Sequence, residues 1–391
     1  GSTDAATSRA RPFRALESGS RGVVCSASPD GTFRLRSDEE LAAFPVSLTT
    51  RVLDGARDHP DRTLFAQRPA EGGAWRRWTY GEVGQAMRCV SQALLDRDLS
   101  DERPVVILSG ASPEHAVLAY AAMHVGVPYA PVSPAYALLS TDFRKLRHVL
   151  DLLRPGLVFC DDHSRYAAAI LAAAPPDCEL VAVTSDDPGV TRFDTLLATP
   201  PTAAVDRAAR RVGPNTVAKI LFTSGSTGRP KAAVLTHGQM GFVIANHLAD
   251  LIPGTTEDDV SLVVAPLSHG AGVHQLTQVA AGATTVLLPS ERFDVAETFG
   301  LVERLKVTNM FTVPTILKMM VEHEAIDRYD HSSLAHIIYA GAPMYRAAQK
   351  RALDKLGSVI VQYFGLGEVT GAITVLPAAE HAIDDERHRV G

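Results

Sequence analysis

Cysteine is scarce: four among 391 residues, Cys25, Cys89, Cys160 and Cys178. No pair has CxxC spacing and no histidine cluster completes a zinc pattern, which excludes a disulfide-stapled scaffold and a small zinc module. A reduced, cytoplasmic compartment is the expectation. Basic charge is not in excess either. Lys plus Arg is 38 and Asp plus Glu 44, a net of −6, without the footprint of a nucleic-acid surface. Only seven of those cations are lysines. No long apolar run is present: the stretch from Ala116 to Val132 is broken by His124, Gly126 and Pro128, too soon to span a bilayer. No basic-then-apolar leader opens the chain, and Gly1-Ser2 without a methionine reads as a cleavage scar. What remains is an ordinary globular composition, 46% hydrophobic and 21% charged, long enough for a large α/β body or two to three domains.

The texture changes along the chain. Residues 1–45 mix Arg, Ser and Gly without sustained periodicity and read as an N-terminal arm, with a turn at Asp30-Gly31 suited to one hairpin. From residue 46 apolar positions recur at helical spacing. The segment 78–97 reads as an amphipathic helix, with Thr79 as N-cap and Glu82 three residues on. Strands are then expected at 104–109, 127–132, 156–161 and 178–184, with helices between them. A Pro/Ala/Arg-rich linker is expected at 199–214. Strands follow at 217–222, 260–265, 284–288, 309–312, 336–339, 359–363 and 372–376, and helices near 237–250, 270–280, 294–305, 314–324 and 344–356. This rhythm predicts an α/β protein with two mostly parallel sheet lobes and flanking helices, over 46–200 and 215–391.

One segment carries chemistry. Thr223-Ser224-Gly225-Ser226-Thr227-Gly228-Arg229-Pro230-Lys231 follows an apolar strand. Glycines let consecutive backbone N–H groups turn toward one anion; hydroxyls add donors, and a lysine adds a mobile charge. A polyphosphate needs those groups. The Walker loop is excluded, because it runs through GK[ST] into a helix, whereas Pro230 precedes Lys231 here and a strand-like run follows. The expected object is a hinged loop between two strands. A dinucleotide fingerprint at Gly365-Leu366-Gly367 is also excluded, since Thr370 replaces its third glycine and a strand follows.

The string "TSGSTGRPK" with "THGQM" closely resembles the phosphate loop of the AMP-forming, adenylate-forming superfamily of acyl- and aryl-CoA synthetases. "WTYGEV" (78–83), "PLSHGAG" (266–272), "YAGAPM" (339–344) and "YFGLGEVTG" (363–371) resemble further motifs of that superfamily. The segment 104–137 resembles bacterial feruloyl-CoA synthetases. The resemblance implies two half-reactions. A carboxylate attacks the α-phosphate of ATP, giving acyl-AMP and pyrophosphate; a thiol, usually that of coenzyme A, then displaces AMP.

Roles follow residue by residue from the resemblance. Thr223, Ser224, Gly225, Ser226, Thr227, Gly228 and Lys231 would surround the β- and γ-phosphates. Gly341, Ala342, Pro343, Tyr363, Phe364, Gly365, Leu366 and Gly367 would lie against AMP. Glu368 would hold Mg²⁺, as suits a carboxylate and a hard cation. The acyl pocket would run along His269, Gly270, Val273, His274, Tyr339, Gly341, Gly367 and Ile373, with Gly270, Ala271 and Gly272 leaving space. Lys231, His269 and Glu368 are the expected catalytic set. Two positions depart from the pattern: Phe364 stands where a tyrosine is usual, and Gly367 where a threonine is usual before the glutamate. An aromatic or phenylpropenoid acid such as ferulate is favoured. A fatty acid, a carrier-protein acceptor, and a nucleotide-binding module without turnover stay open, as does the oligomeric state, homodimer included. Val390-Gly391 falls where the superfamily's small C-terminal lid domain has yet to begin, so that domain is expected to be absent from this chain.

Overall fold

The computed structural model describes residues 22–69, 72–223, 228–289, 292–381 and 384–386. Most of the expected arm lies outside these residues. Its described part is a two-stranded antiparallel ribbon, Val23–Ala27 with Phe33–Ser37, turning at Asp30 and Gly31 as the sequence predicts.

Two sheets form the body. The first has seven strands in the order Lys231–Thr236, Val217–Thr223, Tyr129–Pro131, Val105–Ile107, Leu157–Asp162, Glu179–Thr184 and Thr191–Arg192. The second has eight, in the order Ala372–Leu376, Ile360–Gly365, His336–Tyr339, Asn309–Thr312, Val260–Val263, Thr284–Leu287, Thr63–Gln67 and Arg76–Thr79. Antiparallel pairing is confined to the first pair of the first sheet and to both end pairs of the second. The expected α/β class with two mostly parallel sheets is what the chain adopts.

Sheet membership divides differently from the expected 46–200 and 215–391 split. Thr63–Gln67 pairs with Thr284–Leu287 in the second sheet, and Val217–Thr223 pairs with Tyr129–Pro131 in the first. The expected linker is also not a plain linker: Ala203–Arg211 is a helix, N-capped by the Thr202 hydroxyl. It buries Val205 and presents Asp206 to Arg88, 2.6 Å away. Alanine and arginine are good helix formers, and a threonine cap outweighs the two prolines before it.

Elsewhere local chemistry sets the elements as expected. Helix Tyr80–Leu95 starts on a reciprocal capping box: the Glu82 N–H donates to Thr79 Oγ1 (3.1 Å) and the Thr79 N–H to Glu82 Oε2 (2.8 Å). Helix Pro113–His124 is capped by Ser112 and buried all round, as a helix enclosed in the core must be. The main core lies between the sheets, where this helix, Tyr80–Leu95 and Gly270–Ala281 pack against strand residues of both. Two further cores cover the outer faces, one under helices Arg144–Leu153 and His163–Ala173, the other under Val295–Leu305, Pro314–Glu322 and Arg346–Leu356. Among the described residues no helix is long and apolar enough to cross a membrane.

Candidate functional site at the carboxyl edges of the two sheets

In open α/β sheets, ligands bind beyond the carboxyl ends of the strands. The sequence motifs fall at such ends. Strand Val260–Val263 leads to residues 266–272, His336–Tyr339 to 340–343, and Ile360–Gly365 to 366–369. In the other sheet, Val217–Thr223 and Lys231–Thr236 form a hairpin, with Thr223 paired opposite Lys231. The two ends of the expected phosphate loop are therefore neighbours. Ser224, Gly225, Ser226 and Thr227 lie outside the described residues. Gly228 has φ +77°, the left-handed region open to glycine, and Lys231 is exposed. The loop's far end is tied down by His148, whose Nε2 donates to the Pro230 carbonyl at 2.9 Å.

The turn Gly367–Val369 reaches across from the second sheet to this hairpin. A Cβ on Gly367 would lie 2.9 Å from Thr223 Cγ2 and 3.2 Å from Leu221 Cδ2. The glycine that replaces the usual threonine thus permits close approach to the strand feeding the phosphate loop. Glu368, next in the turn, is exposed and has no ion pair among the described residues. The turn ends at Thr370 with φ +71°, a strained conformation for a β-branched residue. Gly371 follows because a Cβ there would strike Val243 Cγ1 at 2.5 Å.

The aromatic pair resolves by strand alternation. Tyr363 packs toward Phe311, ring centroids 6.2 Å apart, and burial pushes its hydroxyl up to about 12. Phe364 points to the opposite side and is 50% exposed, leaving its ring face free for stacking. Gly341, Ala342 and Pro343 are exposed, and Gly341 takes φ +92°, which restricts that position to glycine. Leu366 and Ile373 are also exposed.

The expected acyl pocket is only partly assembled. His269, the N-cap residue of helix Gly270–Ala281, reaches solvent, yet neighbouring protein encloses part of its ring. That enclosure lowers its pKa, with the nearby charge of Lys219 a smaller contribution. The glycines beside it do not leave space. A Cβ on Gly270 would meet the Phe311 ring at 2.4 Å, and one on Gly272 the Leu267 carbonyl oxygen at 2.3 Å. They are glycines because the helix start is packed tightly, and Val273 belongs to the core between the sheets.

His274 and Tyr339 are corrected in the same way. His274 is 2% exposed; its Nε2 donates to Asn309 Oδ1 (2.8 Å) and its Nδ1 accepts from His247 Nε2 (3.0 Å). Burial drives its pKa down to about 4, so it is a neutral core histidine with both nitrogens occupied. Tyr339 is fully buried on the outer face of the second sheet, bonded to Gln349 Nε2 (2.9 Å) and His381 Nε2 (2.8 Å). Tyr339→Phe should therefore cost about 1–3 kcal/mol in denaturant unfolding, the penalty for stranding buried partners. It should leave acid selectivity unchanged; a shift in which acids are accepted would restore Tyr339 to the pocket.

One residue went unremarked in the sequence. Lys219 sits inside the apolar strand that feeds the phosphate loop, 1% exposed. A lysine interrupting a buried strand is itself a signal, since lysine is almost never fully buried unless paired.

The phosphate-loop hairpin and the acidic turn facing it thus lie at strand ends, where open α/β sheets bind ligands. Comparison with known proteins gives the family: residues 53–391 match the AMP-binding enzyme family, and the chain belongs to that family. It is 30% identical over 298 residues to 4-coumarate–CoA ligase-like 9 of Arabidopsis thaliana, covering 75% of this chain and 50% of that protein. To a feruloyl-CoA synthase of Amycolatopsis sp it is 36% identical over 173 residues, 44% of this chain and 34% of the relative. The chain spans about half the length of the first of these relatives. In structure it is similar to ATP-bound MatB from Rhodopseudomonas palustris (TM-score 0.69, 25% identity, 85% of this chain and 62% of that one). It also shares the fold of the amide bond synthetase McbA from Marinactinospora thermotolerans (TM-score 0.69, 23% identity, 86% and 63%).

Proposed function

We propose that the protein is an ATP-dependent carboxylic acid–CoA ligase acting on an aromatic or phenylpropenoid acid such as ferulate. The observation that carries this reading is the meeting of Thr223 and Gly367, which sets the phosphate-loop hairpin against the Glu368 turn. Relatives named 4-coumarate–CoA ligase-like and feruloyl-CoA synthase support the substrate class.

Adenylation brings a carboxylate against a polyanion, so it needs charge neutralisation and in-line placement more than acid–base chemistry. Lys231 and the Thr223 end of the loop serve the β- and γ-phosphates. Phe364 stacks on the adenine, and Gly341, Ala342 and Pro343 lie along the nucleotide. His269 lines the acid's approach as a neutral hydrogen-bonding group. Glu368 fits Mg²⁺, which is held by one or two carboxylates together with substrate phosphates and would neutralise phosphate charge during transfer. Coenzyme A is the acceptor.

Incubating the complete gene product with ferulate, ATP, Mg²⁺ and CoA, followed by mass spectrometry, tests this reading. Feruloyl-CoA and AMP in equal amounts are expected. Feruloyl-AMP without thioester would make the protein an adenylate-only enzyme. Neither product with ferulate, but thioester with octanoate, would overturn the aromatic assignment.

A further inference from the structure

Lys219 is a buried cation with no counter-charge among the described residues. It makes no hydrogen bond and no ion pair among the described residues; its one recorded partner is the ring face of Tyr129, 5.9 Å from the ammonium to the centroid. Its side chain leaves the first sheet on the inner side, where Tyr129 is its parallel neighbour and Leu235 its antiparallel one. The Nζ lies 3.3 Å from where a Cβ on Gly272 would stand, so that glycine also makes room for the ammonium. Two titratable groups face it from other elements: His115 on helix Pro113–His124 and His269 at the start of Gly270–Ala281. Both are held toward the neutral form, mainly by burial. His115 is bonded at Nδ1 to the Gly110 carbonyl and the Ser109 hydroxyl, both at 3.1 Å. Among the described residues no carboxylate acts on Lys219, and burial lowers its pKa to about 8.

A charge held this way opposes folding, because removing an ammonium from water without a partner is costly. Such an arrangement is useful when a ligand brings the missing charge. The surroundings narrow which ligand. The polyphosphate end of the site begins at Thr223, four residues further along an extended strand, roughly 13 Å away at 3.3 Å per residue. The Lys219 end is walled by the apolar core between the sheets and by His269, which reaches solvent. One unmatched positive charge in an apolar enclosure suits a single negative charge on an organic molecule.

We infer that Lys219 is the buried counter-ion for the carboxylate of the acid substrate, holding it beside His269 before attack on ATP. This rests on the acid-ligase reading and adds the residue that recognises the acid group itself. Recognition by charge predicts that an uncharged analogue of the acid is refused at this end of the site.

The test uses the complete gene product, wild type against Lys219→Met and Lys219→Gln. Met fills nearly the same volume without charge; Gln, one atom shorter, is uncharged but keeps hydrogen bonding. First, the thermal midpoint is read with ferulate, benzoate or octanoate, each beside its own amide. Wild type should be stabilised by one or more acids and not by the matching amides, and both variants should lose that difference. Second, in acid-dependent pyrophosphate exchange the variants should raise KM for the acid at least tenfold while KM for ATP moves less than twofold. Wild-type KM for the acid should climb about tenfold per pH unit above pH 8, where the ammonium of the free protein deprotonates, and be flat in Lys219→Met. Third, without ligand the linkage sign is set by the lowered pKa. Between about 8 and 10.5 the unfolded chain binds more protons, so wild-type stability rises with pH across that window and Lys219→Met should not follow. Variants that keep the acid-over-amide difference and the wild-type KM overturn the inference while leaving the ligase reading intact. A wild-type acid-over-amide difference lost in both variants, with no exchange activity, would sustain the anion site and sink the ligase reading. No exchange and no acid-specific stabilisation in wild type sinks both.

Discussion

Lys231→Ala should lower acid-dependent pyrophosphate exchange about 100-fold or more, the usual scale for removing one group aimed at developing charge in an enclosed site. Lys231 is exposed and stands opposite Thr223 at the mouth of the hairpin, so its side chain supports little of the fold. Unfolding free energy should change by no more than about 0.5 kcal/mol. Glu368→Gln is the companion change. It keeps the size of the side chain and removes the carboxylate, so the Mg²⁺ concentration needed for half-maximal exchange should rise about 10-fold. Titration of MgATP by calorimetry separates binding from turnover. Unchanged nucleotide binding in both variants would mean that the Thr223–Gly367 meeting is only a packing contact.

The largest structural effect is expected at Gly365. A Cβ there would fall 2.0 Å from the Gly371 carbonyl oxygen and 3.1 Å from the Tyr363 ring. The nearest obstacle is backbone, at an irregularity in the pairing of Ile360–Gly365 with Ala372–Leu376, so no side-chain rotation can relieve it. Gly365→Ala should destabilise by about 3 kcal/mol, at the upper end for overpacking. The same distortion would move Phe364 and the Glu368 turn, so exchange activity should fall with it. Gly213→Ala is the control. A Cβ there meets nothing within 4 Å and the backbone is not left-handed, so that variant should be neutral or slightly stabilised. Equal stability of the two variants in urea would contradict the packing argument.

Local rules carried far in this chain. The Thr79–Glu82 capping box, the hairpin at Asp30-Gly31 and strand Ala372–Leu376 were all legible, because each is decided by residues within a few positions. Sheet membership was not. Nothing near Thr63–Gln67 says that its partner strand begins at Thr284; only closing the whole sheet does. The helix Ala203–Arg211 was hidden by composition, since Pro and Arg around it read as linker while Thr202 caps it.

The site divides along the same line. Positive-φ glycines such as Gly228 and Gly341 sit in motif segments and were visible. Gly270 and Gly272 were misread as free space, because a glycine looks the same in sequence whether it leaves a void or lets a ring or a carbonyl press close. Tyr339 fell in a motif segment, yet strand alternation turns it to the far face of its sheet. Lys219 was passed over inside an apolar strand, although its burial could have been flagged from that setting alone.

ATP–pyrophosphate exchange by the complete gene product, with and without ferulate, tests the central claim most directly. Label should enter ATP only when the acid and Mg²⁺ are both present, because in the proposed reaction the reversible step is formation of an acyl-adenylate. Exchange that is independent of any acid in a panel spanning hydroxycinnamic, benzoic and fatty acids, or no exchange at all with MgATP demonstrably bound, would contradict it.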